Sequence, residues 1–219
     1  PVEGRLEKIG KIHNNSKVIL DYAHTPDALE SALSNLKEQF PFNKINLIFG
    51  CGGDRDLKKR PLMGKIAEKY SNEIYLTDDN PRDEKPFKIR NEIKKGIKNK
   101  KIHEIPDRKK GIQEAVKNLE TGDILLVAGK GHEKIQDYGT KKTFFSDQKV
   151  IIESIRLKNK FLSKNLKINI IQEQSKVNLS NKLLIKDVSI NSKSIKKNDV
   201  FFAIKGKNVD GNNYVSEAI

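Results

Sequence analysis

Glu73-Ile74-Tyr75-Leu76-Thr77-Asp78-Asp79-Asn80-Pro81-Arg82 is a short apolar run followed at once by a polar loop, and that junction points to the class of fold. The run reads as a buried strand, and open α/β sheets bind ligands in loops at the carboxyl ends of their strands. Pro81 stiffens the loop and biases Asn80 toward an extended backbone. A carboxylate, an amide and a guanidinium are then presented together, a set suited to a ligand carrying both ammonium and carboxylate groups.

Outward from this junction the pattern repeats. Val18-Ile19-Leu20, Ile45-Asn46-Leu47-Ile48-Phe49, Ile102 to Ile105 and Ile124-Leu125-Leu126-Val127-Ala128 read as strands. Between them lie helical stretches. Thr25 is placed to cap a helix with Pro26 at its first position and Ala28, Leu29, Ala32, Leu33 and Leu36 on one face. Further helices are expected from Pro61 to about Tyr70, from Phe87 to Ile97, from Arg108 to Leu119, and after Ser146. A hairpin is expected around Gly139-Thr140. Strands alternating with helices from Lys17 to about Lys158 predict an α/β fold with a doubly wound, mostly parallel, Rossmann-like sheet.

Near Asn159 the sequence turns rich in Lys, Asn, Ser and Gln, which suggests a domain boundary: residues 1–158, then a partial small α/β domain over 159–219. In the second part Ile168-Asn169-Ile170-Ile171 offers a strand. Two more are expected over residues 188–195 and 200–204, around a turn at 195–199.

The chain has 219 residues, 36% hydrophobic and 33% charged, with a formal net charge of +14. No apolar run approaches a membrane span and no signal peptide opens it, so no membrane role is expected. One cysteine, Cys51, excludes an internal disulfide and fits a reducing cytoplasm. The charge invites nucleic acid, but the lysines are spread along the chain, aromatics are 6%, and no stacking motif or zinc-finger spacing occurs. Anionic small substrates would benefit from the same field. The only methionine is Met63, so the chain is expected to be a piece of a longer polypeptide.

Three loops follow strands: residues 50–56, 79–82 and 129–133. In a parallel sheet they emerge at one edge and can line one pocket. Gly50-Cys51-Gly52-Gly53-Asp54-Arg55-Asp56 lacks the Lys-Ser/Thr ending of a Walker A loop. Arg55 and Arg82 can each grip a carboxylate, and Glu133 can accept an ammonium. His132 could act as a base, although a lone loop histidine is more often structural. Cys51 is favoured as a small buried thiol over a nucleophile. No residue is assigned a catalytic role and none a metal.

Asp21-Tyr22-Ala23-His24-Thr25-Pro26-Asp27, Gly50 to Asp56 with Lys59-Arg60-Pro61-Leu62-Met63-Gly64, Asp79-Asn80-Pro81-Arg82, and Ala128-Gly129-Lys130-Gly131-His132-Glu133 stand in an order that resembles the C-terminal domain of the Mur ligases, peptidoglycan-precursor ligases, and among them the MurE type. Pro1-Val2-Glu3-Gly4-Arg5 is similar to the segment that joins the family's central ATPase domain to this one. The resemblance implies a cytoplasmic enzyme that uses ATP and magnesium to join an amino acid to UDP-MurNAc-L-Ala-D-Glu through an acyl phosphate. It implies that Arg55, Asp79, Asn80, Pro81, Arg82, Gly129 and Glu133 hold meso-diaminopimelate, Arg82 being the discriminating position. Arg5, Asp21 and His24 would approach ATP. Most of the ATP and Mg2+ binding would fall to Mur ligase domains elsewhere in the same polypeptide, so the fragment alone is expected to be inactive.

The tail resembles the N-terminal, UDP-substrate-binding domain of the same ligases, on Ser189-Ile190-Asn191-Ser192-Lys193-Ser194, Asp199 to Gly206 and Asp210-Gly211. The usual Asp-Ser-Arg is Asn191-Ser192-Lys193 here. Its position after a MurE-like domain implies the start of a MurF-like part, which would add D-Ala-D-Ala, with Ser192, Lys207, Asn208 and Val209 as nucleotide contacts. Three alternatives stand beside this reading: an L-lysine-adding ligase, a basic nucleic-acid-binding module, and a non-catalytic scaffold that retains the fold.

Overall fold

A computed structural model describes residues 2–175, 188–196, 199–206 and 209–218. They fall into two compact units, Pro1–Asn159 and Lys160–Ile219.

The first unit is built on a six-stranded sheet. Its strands are β1 (Glu7–Ile9), β2 (Lys17–Asp21), β3 (Ile45–Phe49), β4 (Glu73–Leu76), β5 (Ile102–Glu104) and β6 (Ile124–Ala128), in the order β1-β2-β6-β3-β4-β5. All neighbours are parallel except β1, which runs against β2. Every residue of β3 and β6 is buried, which is why these strands are continuous apolar runs without alternation.

Helices α1 (Pro26–Gln39), α2 (Lys59–Tyr70) and α3 (Pro86–Lys94) follow β2, β3 and β4. Thr25 caps α1 as expected, its side chain accepting from the Ala28 N–H at 3.3 Å. Leu29, Leu33 and Leu36 of α1 and Met63 and Ala67 of α2 join Leu47, Phe49, Leu76 and Leu126 in a hydrophobic core cluster. Helix α4 (Arg108–Asn118) packs on β3, β4 and β6, and Gly111 comes so close that a Cβ there would lie 2.6 Å from Thr77 Cγ2. The expected hairpin is β7 (Ile135–Asp137) with β8 (Lys142–Phe144), antiparallel.

Three expectations need correction. Helix α5 runs Asp147–Ser175, so Ile168 to Ile171 are helical and offer no strand. The edge strand β1 was not anticipated: three residues are too few to show a period, and it forms because β2 supplies a partner. In the second unit, β9 (Val188–Ser189) and β10 (Val200–Phe201) are parallel and shorter than expected, and Ser192–Ser194 is a 3₁₀ turn where strand was expected. The Asn191 side chain accepts from the Lys193 N–H at 3.0 Å, which starts that turn and ends the extended stretch. A second 3₁₀ turn, Gly211–Tyr214, leads into α6 (Val215–Ala218).

One ion pair holds the carboxyl edge of the sheet to the helices. Arg108, fully buried at the start of α4, forms a two-pronged bridge to the fully buried Asp147 of α5, Nε–Oδ1 2.8 Å and Nη2–Oδ2 2.7 Å. The same guanidinium donates to the Ala128 carbonyl at 2.9 Å and reaches Thr77 Oγ1 at 3.3 Å, the ends of β6 and β4. An exposed pair such as Lys44–Glu120, 59% and 71% exposed, contributes roughly 0–1 kcal/mol. Removing one partner of a buried pair instead strands a charge and costs about 3–5 kcal/mol. Arg108→Met is therefore expected to lower unfolding free energy by about that amount in a urea titration, and Arg108→Met with Asp147→Leu to recover most of it. A single variant as stable as the wild type would show that the bridge holds nothing.

Candidate functional site

The loops after β2, β6, β3 and β4 leave one edge of four neighbouring parallel strands, and their approach is close. The Gly53 N–H donates to the Asn80 carbonyl at 2.8 Å, and a Cβ on Gly53 would lie 1.8 Å from the Pro81 oxygen. Only glycine allows the two backbones to meet there. Gly129, at φ +113°, passes the Asp79 side chain, where a Cβ would lie 2.6 Å from Oδ2.

Buried cations fasten these loops. Lys130, fully buried, uses its ammonium on Asn80 Oδ1 (2.9 Å), Glu133 Oε2 (3.1 Å) and the Ile135 carbonyl (2.7 Å). Arg60, equally buried, donates to the Gly52 carbonyl at 3.1 Å and pairs with Glu84 and Glu92. The β7–β8 hairpin braces the Asp79–Arg82 loop from outside. Gln136 Nε2 donates to the Asp79 carbonyl at 2.9 Å, the Asp137 N–H to Asn80 Oδ1 at 3.0 Å, and the Arg82 N–H to the Asp137 carbonyl at 3.0 Å.

Arg82 has a left-handed backbone, φ +52°, which costs a non-glycine residue about 1–3 kcal/mol. Its own N–H bond to β7 and an Nη1 bond to the Gly53 carbonyl at 2.7 Å hold it there. The consequence is a guanidinium fixed against the cleft of about 550 Å³ lined by Asn80, Arg82, His132, Glu133, Ile135 and Asp137, among others. Asn80 Nδ2 donates to Glu133 Oε2 at 3.0 Å, so the amide's two ends join Glu133 to Lys130 and the hairpin.

Among the predicted residues, Asn80, Arg82 and Glu133 thus meet at one cleft, with Asp79 and Gly129 in contact behind them. Pro81 is buried at the Gly53 crossing. Arg55 stands outside this lining. It is exposed, with its Cγ 3.8 Å from where a Gly52 Cβ would be, on a glycine it shares with Arg82 Nη1 at 2.8 Å. Asp21 is buried and accepts from the backbone N–H groups of Leu6 (2.7 Å) and Ala23 (2.8 Å). Arg5 lies 4.8 Å over the Tyr22 ring, and exposed His24 donates from Nδ1 to the Tyr22 carbonyl at 2.9 Å. In the second unit Ser192 donates to Glu217 Oε2 at 2.7 Å, and Ser192 and Val209 help line a cavity of about 490 Å³. Lys207 and Asn208 lie outside the described residues.

Burial pushes the Asp79 carboxyl above its ordinary range, Arg108 and Lys130 offsetting only part of it. For Glu133 burial pushes the same way, yet Lys130, Asn80 and Tyr22 outweigh it and hold the group low. Glu133 is therefore the settled anion of the cleft. Burial lifts the Cys51 thiol to about 12 with Met63 Sδ 3.6 Å away, so the thiol stays protonated and packs. Sequence reasoning missed Lys130, Arg60, Arg108, Gln136 and Tyr22 as parts of the site. For Arg60 and Arg108 a signal existed: each lies in a helix's first turn, where the dipole disfavours a cation unless something else holds it.

An acid whose folded-state pKa is raised weakens the fold while it is ionised. Asp79→Asn is expected to raise the thermal midpoint at neutral pH, with the gain fading as pH falls toward the ordinary aspartate value of 3.8. Melting curves across pH test this; a loss of stability at neutral pH would contradict it.

Residues 4–131 match the family described as Mur ligase, glutamate ligase domain. A UDP-N-acetylmuramoyl-L-alanyl-D-glutamate--2,6-diaminopimelate ligase from Buchnera aphidicola subsp. Baizongia pistaciae is 52% identical over 159 residues, 72% of this chain and 31% of its own. The enzyme of that name from Rickettsia felis is 46% identical over 161 residues, 73% of this chain and 30% of its own. A solved structure of a ligase with the same name superposes at TM-score 0.66 and 40% identity, covering 70% of this chain and 31% of that one. The chain spans less than a third of the length of these relatives. It belongs to the Mur ligase family, and residues 4–131 are its glutamate ligase domain.

Proposed function

We propose that the first unit is the amino-acid-binding domain of an ATP-dependent ligase that joins meso-diaminopimelate to UDP-MurNAc-L-Ala-D-Glu. The observation that carries this reading is the meeting of Arg82, Asn80 and Glu133 at one cleft, opposite charges facing a common space. Diaminopimelate has two amino-acid ends. The Arg82 guanidinium, held rigid by Gly53 and the hairpin, suits a distal carboxylate that lysine lacks. Glu133, kept ionised by Lys130, suits an ammonium, and the buried charge of Asp79 adds to the negative potential there. Arg55 would reach a second carboxylate from the rim.

In this reading the amine attacks an acyl phosphate on the glutamate side chain, the carbon–nitrogen bond forms, and phosphate leaves. The residues of this chain bind and orient the incoming amino acid. Arg5, Asp21 and His24 belong to the ATP side, and the names of the relatives support the choice of substrates. Among the described residues no three His, Cys, Asp or Glu side chains cluster as metal ligands. Magnesium and most of the nucleotide contacts are assigned to the rest of the polypeptide. Residues 159–219 are read as the start of a MurF-like, UDP-substrate-binding part, supported by the cavity that Ser192 and Val209 share.

Full-length Arg82→Ala tests the assignment. Its kcat/KM for meso-diaminopimelate is expected to fall about 100-fold or more, as when one partner of a desolvated charge pair is removed. Use of L-lysine should not fall in parallel. Unchanged use of diaminopimelate would overturn the role of Arg82, and a wild-type enzyme that prefers L-lysine to diaminopimelate would favour the lysine-adding alternative.

A further inference from the structure

At the amino edge of the sheet, opposite the cleft, one polar residue interrupts the apolar run of β3. Asn46 stands between Ile45 and Leu47, 7% exposed, and its Oδ1 is covered and accepts no hydrogen bond. A buried carbonyl oxygen without a donor costs free energy that an apolar side chain of similar size would not. A polar group kept at such a cost in a strand of the central sheet calls for a partner.

Asn46 lines a cavity of about 390 Å³. Asp123, 5% exposed, lines it from the turn before β6. Its Oδ2 accepts from the Glu120 N–H at 2.9 Å, and among the described residues no donor reaches its Oδ1. Glu73, at the start of β4, is held in place by His103, whose ring stacks on Tyr75 at 4.4 Å and whose Nε2 meets Glu73 Oε2 at 2.9 Å. With Glu120 the cavity has three carboxylates, against the ammoniums of Lys44 and Lys101. Both lysines are mostly exposed, Lys44 engaged by Glu120 at 2.7 Å and Lys101 3.8 Å from Glu73. A chain of net charge +14 thus keeps a cavity in which acids outnumber lysines, with two buried side chains each short of a donor.

We propose that this cavity is a second binding site, for a small organic ammonium. Its N–H groups bond Asp123 Oδ1 and Asn46 Oδ1, the amide turning to the cavity about one side-chain bond, beside the negative charge of Glu73. An ammonium carries donors only, which matches two acceptors left without them. Among the described residues no three His, Cys, Asp or Glu side chains are placed to hold a metal ion. The inference goes beyond the ligase reading and does not depend on it, since the cavity and the cleft share no lining residue. Two sources have this chemistry: a free amine, and the amino end of an amino acid, whose carboxylate would fall to Lys44 or Lys101.

The test is calorimetric titration of the full-length protein with putrescine and, separately, with L-lysine, at constant ionic strength. Saturable binding in the millimolar range or tighter is expected. Asn46→Leu should weaken it about tenfold or more, the loss of one hydrogen bond to a charged group. The thermal midpoint of the free Asn46→Leu protein should stay level or rise, because the oxygen without a donor is gone. Asp123→Asn keeps the shape and the bond to the Glu120 N–H while removing the charge, and should weaken binding in the same way. Arg82→Ala, in the cleft, should leave this binding as in the wild type. Tighter binding of putrescine would identify a free amine as the source, and tighter binding of L-lysine an amino acid. Failure of both probes to bind saturably in the millimolar range would overturn the inference. So would an Asn46→Leu protein that binds as the wild type does, or magnesium chloride that displaces the probe, the mark of a metal site. None of these results bears on the use of diaminopimelate at the cleft, which the Arg82→Ala kinetics test separately.

Discussion

An ammonium has three N–H donors, and Lys130, fully buried, finds three acceptors: Asn80 Oδ1, Glu133 Oε2 and the Ile135 carbonyl. Each acceptor belongs to a different part of the carboxyl edge: the loop after β4, the loop after β6, and the hairpin. Burying an ammonium unpartnered would cost several kcal/mol, so the fold tolerates Lys130 only while all three are in place. The arrangement of the cleft follows from that demand. The Asn80 amide is turned with its oxygen toward Lys130 and its nitrogen toward Glu133, and Glu133 is held as an anion.

The other buried cations extend the same logic around the rim. Arg60 ties the glycine loop to Glu84 and Glu92, and Arg108 ties the ends of β4 and β6 to α5. Beside these paired cations, whose one gap is the unpartnered Arg60 Nε, stand two groups in the loop after β4 that the fold holds at a cost. Asp79 is a buried carboxylate to which no described side chain donates a hydrogen bond, and Arg82 keeps a left-handed backbone. Both are in the Asp79-Asn80-Pro81-Arg82 loop.

The sheet was legible because its central strands are buried on both faces and so are written as unbroken apolar runs, Ile45 to Phe49 and Ile124 to Ala128. The edge of the sheet that carries the loops followed from parallel order alone. Strand β1 was not legible, since its pairing depends on β2 and its three residues carry no period. Helix α5 continues through Ile168 to Ile171, a run whose β-branched residues suit a strand as well as a helix. At the site, Asn80, Arg82 and Glu133 were readable as polar groups on converging loops. Lys130 was not, because a charged residue reads as solvated until the acceptors that surround it are known; Arg60 and Arg108 left only the hint of a cation in a helix's first turn, without the acceptors that hold it.

If Lys130 sets the edge, removing its ammonium while keeping its bulk should loosen three segments at once. Hydrogen exchange on Lys130→Met reads this at single amides. The N–H groups of Gly53, Arg82 and Asp137, bonded to the Asn80 carbonyl, the Asp137 carbonyl and Asn80 Oδ1, are the reporters. Exchange faster by tenfold or more at all three, with the amides of β3 and β6 as protected as in the wild type, is the predicted result. Unchanged protection at the three reporters would contradict the account.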